Sequence, residues 1–542
     1  MSEIRPVQDD PVRPSPGQIE ENEKADNDGG RLSVSKTVSG AGGTVVVEPA
    51  NKEGKLDQAA IEAMIAEGEV TQDDYDRVKR RVDWILLPLM WWMYGIQQTD
   101  KTGLGTMNIF GLQKDTGMVG KQYSYLTVMF YVSYAVFEFP SNYLMQRLPI
   151  GRTLTVYMFL WGVVVLVQAF FTNWAEFMAF RFIQGALECT ISPGFNVIIA
   201  RWYTKREHSS RSLVFQSANA GWGIIVNLVF YGIAKHSAAH PGGFAAWRGI
   251  EVFLGAQTLV ASVIAWFLLG TPSEVRWLDH KQKVTATARV MVNHAGTDLT
   301  GTGGWSWSQT REAFLDPVLY FQFAITFLCC VVNGAITTFG TVIETGFGFD
   351  AYQVLLLECV RNAFSVIWFV FVGYSSLKIR HIRMYWMMLS TVIPFIALLV
   401  IALLPTQDQY RWTKMVMYWG TAIFVIPSFS AWALISSNTA GRTKISVISA
   451  TTFIGYCTGN IAGSQTMPPK DAPHYIPGTI ACAACMGGAL ILIVLWRFWL
   501  VYQNRKKDEA VAAMGLTQAE EERRGQELGA QDVTDLKNPF FK

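Results

Sequence analysis

Charge is what this 542-residue chain is short of: only 16% of its residues are Asp, Glu, Lys or Arg, against about a quarter in a soluble protein. The shortage is uneven. Residues 1–80 and 504–542 are rich in Glu, Asp, Lys, Gln and Gly, so the stretch between them is more apolar than the averages of 50% hydrophobic and 13% aromatic residues state. Outside the two ends, no segment is polar and long enough to be an ordered polar domain. Metal-ligand clusters, nucleotide loops and nucleophile motifs are missing too, which argues against an enzyme and leaves no cofactor to expect. The first 80 residues lack the apolar core of a cleavable signal, so the first membrane helix is expected to direct insertion. Asn-x-Ser/Thr sequons are absent, which decides nothing about location. Cysteine is sparse: all seven (Cys189, Cys329, Cys330, Cys359, Cys457, Cys482, Cys485) fall in apolar runs. Cys482 and Cys485 have redox-motif spacing, but they sit on an apolar stretch without a second pair, so packing is the better reading. The net charge of +2 and short basic turns give no reason to expect a nucleic-acid partner.

What the chain does have is apolar runs of about 20 residues, the length that crosses a bilayer. They lie at approximately 83–100, 122–146, 153–172, 175–203, 211–235, 247–270, 317–343, 352–374, 383–404, 412–435, 443–466 and 476–502. Numbered as spans one to twelve, they predict an all-α polytopic membrane protein embedded in a lipid bilayer. Residues 1–55 read as a disordered tail, and 56–80, with Leu56, Ala60 and Met64 at helical spacing, as a short amphipathic helix or two.

Lys and Arg accumulate on the cytoplasmic side of a membrane. With the N-terminus inside, the even-numbered connections should be basic, and they carry Arg147 and Arg152; Lys205, Arg206 and Arg211; Lys378, Arg380 and Arg383; Arg442 and Lys444; then Arg505, Lys506 and Lys507. The opposite connections, such as "TNWAEF", "ETGFGFDAY" and "PPKDAPHY", are mixed or poor in positive charge. Twelve spans with both termini cytoplasmic follow. The longest internal polar segment, 271–316, divides the chain into a tail (1–80), a first six-helix set (81–270), a connecting loop (271–316), a second set (317–503) and a second tail (504–542). Such halving is the pattern of transporters built from two repeats around a midplane site. "LMQRLPIGRTL" after span two and "SSLKIRHIRMY" after span eight are basic turns at matching places in the two halves.

In this setting "QRLPIGR" resembles the loop signature of the major facilitator superfamily, with Gln146 in place of its usual aspartate and Arg147, Gly151 and Arg152 retained. "RFIQGALECTISPGF" followed by "RWYTKREHSSR" is similar to the anion:cation symporter family, and within it to the fungal allantoate-permease-like branch. "DKTGLG", "QYSYLTVMFYVSYAVFEFPSNYLMQR" and "DVTDLKNPFFK" fit that branch too, so the likeness runs from about residue 78 to the C-terminus. The resemblance implies proton-coupled uptake, across the plasma membrane, of a small organic anion: allantoate, ureidosuccinate, a small peptide or a carboxylate vitamin such as nicotinate or pantothenate. The proton gradient would be the driving force. It also implies two six-helix bundles rocking around a central site in a monomeric transport unit.

Charges inside the spans are costly and therefore informative. Arg181 and Glu188 in span four stand seven residues apart, on nearly one helix face but about 10 Å apart along the axis, too far to pair. Gly185 between them opens space against a facing helix, and Ser192–Pro193–Gly194 weakens the helix below. Either Arg181 grips a substrate carboxylate with its planar fork while Glu188 carries the proton, or both are struts with other partners. Glu138 in span two is a second candidate proton site or a partner for Arg181. Glu358 and Arg361, three residues apart, are expected to neutralise each other. Asp100 and Lys101 lie at the outer end of span one, as a solvated helix end or, by the family likeness, in proton coupling and gating. Gln98, Gln184, Asn219, Asn333 and Asn460 are candidate substrate ligands, each equally able to bond a neighbouring helix. A gating role for Arg147, Arg152, Lys378, Arg380 and Arg383 comes from the resemblance; topology alone explains their charge. An exporter is the competing transporter reading, although span five ("FQSANAGWGIIVNLVFYGI") lacks the Gly–Pro pair typical of that type. A transporter-like nutrient sensor is disfavoured by ends that contain no recognisable signalling module.

Overall fold

The computed structural model describes residues 72–291, 305–379 and 382–516, and beyond them 520–521, 523–524, 528 and 532–541. The chain divides into two units, Met1–Glu48 and Pro49–Lys542; the first lies wholly outside the described residues, and the second carries everything below. The readings made for 1–71 and for Arg380 also fall outside the described residues.

Among the described residues all regular structure is helical. Nine helices among the described residues are long and apolar enough to cross a membrane, matching spans three and five to twelve. Spans one (Gln72–Ile109), two (Gln122–Arg147) and four (Trp174–Glu188 and Ile191–Trp202) are helical as well but fall short on apolarity or length. These three carry most of the charges weighed above.

Span one corrects two expectations. Its helix starts by Gln72, so the stretch before residue 80 is continuous with it from there on, and it runs past Asp100 and Lys101 to Ile109. Asp100 and Lys101 are therefore inside the helix, Asp100 buried and Lys101 half-buried, not a solvated end.

Spans seven (Pro317–Gly346) and eleven (Arg442–Gln465) lie in parallel and very close. Gly455, Gly459 and Gly463 come one per turn and meet the carbonyls of Phe323, Phe327 and Val331 in step, a small-residue seam that lets two backbones touch. A β-carbon on Gly459 would stand 2.5 Å from the Phe327 oxygen. Gly459→Leu is therefore expected to prevent accumulation in membranes, whereas Gly232→Leu, with nothing within 4 Å, should accumulate normally; immunoblots of isolated membranes read the difference.

The connecting loop is structured at both ends. Glu274 accepts from the backbone N–H groups of Ile150 (3.0 Å) and Gly151 (2.8 Å), filling the first turn of span three. In helix His280–Met291, Arg289 bonds Glu207, which also pairs with Lys79 at 2.7 Å. Burial pushes the Glu207 carboxyl up, but the Lys79 and Thr204 hydrogen bonds and the Arg289 charge outweigh it and hold it down at about 2. A depressed carboxyl supports the fold above its ordinary value of about 4.3 and loses that contribution as pH falls towards 2. On the second half, Lys444 pairs with Asp316 (2.7 Å) and Asp535 (2.9 Å), so the C-terminal residues around Asp535 are docked on the helix bundle.

Candidate functional site

Span four breaks where its sequence promises. One helix ends at Glu188, a turn covers Cys189 and Thr190, and a second begins at Ile191. Pro193 sits in the new first turn, where its missing N–H leaves nothing unpaired. From span one, the Gln97 amide reaches across the break to the Glu188 carbonyl (3.4 Å). The fourth span of the second half repeats the device: Arg411–Gly420 and Ile426–Asn438 are separated by a short 3-10 turn, Thr421–Ile423, and Ser365 of span eight bonds the Ala422 carbonyl inside it (3.3 Å). Interrupted helices of this kind free backbone groups at mid-depth and mark binding sites in transporters.

Glu188 is fully buried and pairs with Lys101 of span one at 2.7 Å. The Lys101 ammonium lies 5.8 Å from the Phe130 ring and 5.5 Å from the Tyr134 ring, faces that attract a cation. Gly185 makes this possible, because a β-carbon there would overlap the Ser133 hydroxyl and the Phe130 carbonyl of span two. Tyr134 and Tyr131 in turn meet Phe453 and Tyr456 of span eleven, at 5.9 and 5.8 Å between ring centres. The ion pair therefore lies beside the seam between the two bundles.

Next to Lys101 in the chain, Asp100 accepts from the Gln184 amide and from the Trp161 indole (3.3 Å), and Gln168 bonds Gln184 from behind (3.0 Å). Arg181 is 3% exposed, and its Nε and Nη2 have no hydrogen-bond partner among the described residues. Its charge acts on Asp100, on Glu188 and on Glu251 of span six. Glu251 is fully buried, with neither carboxylate oxygen hydrogen-bonded among the described residues. Five ionisable groups thus form one electrostatic cluster in the first bundle, and no Arg181–Glu188 pair occurs among the described residues, as their spacing predicts.

The other candidates fall in different places. Gln184 spends its amide on Asp100 and Gln168. Asn333 donates to Asn460 (2.7 Å), which donates to the Tyr456 carbonyl (2.8 Å), so this pair ties spans seven and eleven together. Asn219 is half-buried beside Tyr94, and Gln98 is half-buried on span one. Glu138 is half-buried near Tyr134 and Cys189, with no ion pair to Arg181 among the described residues. Arg147 and Lys378 lie exposed over their own helices' Tyr143 and Tyr374 rings (5.1 and 4.7 Å); Arg152 and Arg383 are exposed.

The bundles are fastened at the end away from the basic turns. Tyr123 donates to the Thr338 carbonyl (2.8 Å), Thr127 meets the Thr338 hydroxyl (3.2 Å), and Gln465 donates to Ser124 (3.1 Å). A cavity of about 420 Å³ lies at this end, lined by Asn108, Gln113, Tyr123, Phe339 and Tyr475 among others. Two helix sets with interrupted fourth spans, closed at one end around a buried charge cluster, have counterparts among known proteins. The family model of the Major Facilitator Superfamily matches residues 90–464. The chain belongs to that superfamily. Relatives of this superfamily member include an uncharacterized transporter of Schizosaccharomyces pombe, 30% identical over 88% of this chain and 90% of the relative. The allantoate permease of Saccharomyces cerevisiae is 25% identical over 90% of each chain, and that yeast's thiamine pathway transporter 26% over 86% of each. Among solved structures, a D-xylose–proton symporter shares the fold at a TM-score of 0.57 and 12% identity, covering 76% of this chain and 97% of its own. A bacterial homologue of the lysosomal transporter Spinster, solved inward-facing and unoccupied, does so at 0.54 and 12%, covering 79% and 96%.

Sequence reasoning passes over Trp161, Gln168 and Glu251 in this superfamily member. An acid inside an apolar run is signal enough for Glu251. Trp161 and Gln168 carry no such signal, because an indole or amide in span three looks like packing until Asp100 is known to face it.

Proposed function

We propose that the protein is a proton-coupled symporter that takes up a small organic anion across the plasma membrane by alternating access, with both termini in the cytoplasm. The observation that carries this reading is the buried Lys101–Glu188 pair beside the bundle seam. While Glu188 is ionised it occupies the ammonium, and breaking a buried pair without compensation costs about 3–5 kcal/mol. A proton on Glu188 releases Lys101, and a substrate carboxylate then replaces the lost negative charge. Proton and anion therefore favour each other's binding, which is what symport requires.

Arg181 adds a second positive charge and two guanidinium nitrogens, Nε and Nη2, unpartnered among the described residues and suited to the bidentate grip of a carboxylate. Gln98 and Asn219 are half-buried and available to hold polar parts of the substrate. The rings of Tyr131, Tyr134, Phe453 and Tyr456 offer faces to a flat one, such as a ureide or a heteroaromatic acid. With the basic end cytoplasmic, closure at Tyr123, Thr127 and Thr338 shuts the outer end, as alternating access requires of a carrier that opens inwards. Arg147, Arg152, Lys378 and Arg383, exposed in this structure, are then placed to latch the basic end in the opposite state. The allantoate permease, whose named cargo is a ureido carboxylate, and the proton-coupled xylose carrier support the reading by analogy.

Radiolabelled uptake of ureides, nicotinate, pantothenate and dipeptides at two external pH values tests it. Uptake of one acid should rise with external acidity and collapse with an uncoupler. Efflux from preloaded cells with no uptake would make the protein an exporter instead.

A further inference from the structure

The second bundle buries an acid that nothing above uses. Glu344 of span seven is fully buried, its carboxyl meets that of Glu358, and no donor among the described residues hydrogen-bonds either oxygen. Sequence reading places it in a polar connection, but the helix runs through it to Gly346. On span eight, Arg361 grips both oxygens of Glu358, at 3.1 and 2.9 Å, and its guanidinium lies 5.2 Å from the Tyr418 ring of span ten. The Tyr418 hydroxyl is itself buried and has no hydrogen-bond partner among the described residues. It points at the Glu344 face of span seven, since a β-carbon on Gly340, one turn before Glu344, would overlap it. The charges bearing on Glu344 are those of Glu358 and Arg361.

Other titratable groups around span seven are engaged elsewhere. Lys414, one turn before Tyr418, lies 5.9 Å from the Phe347 ring; His474 is beside Gly346; Tyr475 packs on Phe339; and Tyr123 bonds the Thr338 carbonyl. Among the described residues none of them bonds or pairs with Glu344. Two carboxylates thus face one guanidinium away from water. Since a lone carboxylate in such a place is very costly and neutralises instead, one of the two must hold a proton, and Arg361 is already committed to Glu358.

We propose that Glu344, with Glu358, Arg361 and Tyr418, forms a second proton-binding site in the second bundle, distinct from the Lys101–Glu188 pair of the first. Binding is the addition of H⁺ to the Glu344 carboxylate; release leaves two carboxylates competing for Arg361, so proton occupancy sets whether Arg361 stays on span eight or is drawn towards span seven. Infrared spectroscopy of the purified full-length protein tests this without any transported substrate, so its outcome is separate from that of the symport reading. At neutral pH the carbonyl stretch of buried protonated carboxyls is expected in the wild type, unchanged in the Glu344 component by Glu188→Gln, and reduced by that one component in Glu344→Gln. If Glu344→Gln does not reach the membrane, Glu344→Asp should shift the same band. A band unchanged in both Glu344 variants overturns the proposal.

Discussion

Glu188→Gln is expected to abolish pH-driven accumulation of the substrate while leaving exchange of labelled for unlabelled anion intact. Glutamine copies the shape and neutrality of the protonated acid, so Lys101 is permanently released from its carboxylate. The Phe130 and Tyr134 rings, 5.8 and 5.5 Å from its ammonium, soften the cost of leaving it unpaired. The anion then binds at any pH, but its binding no longer recruits a proton. Each coupled proton lets one unit of pH gradient sustain about a tenfold concentration ratio. The share of accumulation due to Glu188 should therefore fall from about tenfold per pH unit to none, and the apparent affinity should stop depending on pH. Counterflow in proteoliposomes, with and without a gradient, separates the two behaviours. Wild-type accumulation in Glu188→Gln would sink the symport mechanism at this site.

How much of this could be read beforehand differs from element to element. The helical membrane architecture was legible, because apolar runs and basic turns alternate along the whole chain and each reports a solvent rather than a contact. The break in span four was legible for a local reason: Pro193 and Gly194 stand a few residues after Glu188. The matching break at Thr421–Ile423 was not, since Pro427 follows it inside a stretch with no charge to draw the eye. The inability of Arg181 and Glu188 to pair follows from helix geometry, but the partner that Glu188 takes instead does not. Hydropathy falls so abruptly at Asp100 and Lys101 that the helix seems to end there; it continues to Ile109 because neighbouring spans bury it, with Gly105 close against the Thr338 carbonyl. Glu344 was hidden by the mirror-image effect, an acid near a helix end that looks solvated. Tertiary burial decides both cases, and a single sequence does not display burial.

Lys101→Gln is expected to lower uptake by about 100-fold or more, and to do so differently from Glu188→Gln. Removing the ammonium leaves Glu188 buried without its cation, a loss of about 3–5 kcal/mol that the protein escapes by keeping Glu188 protonated. The anion then meets no compensating charge at the seam, and a penalty near 3 kcal/mol on its binding corresponds to about 100-fold in affinity. Lys101→Arg keeps the charge but spreads it over a planar fork, so a smaller loss, carried by substrate affinity rather than by protein level, is expected. The decisive variant is the double neutral one, Lys101→Gln with Glu188→Gln, which removes both buried charges at once and should accumulate in the membrane better than Lys101→Gln alone. If the pair were only a strut between spans one and four, that variant would transport as the wild type does. If Lys101 receives the substrate carboxylate, it should be stable, present and inactive, because the charge the anion needs is gone whether or not the helices are held in place.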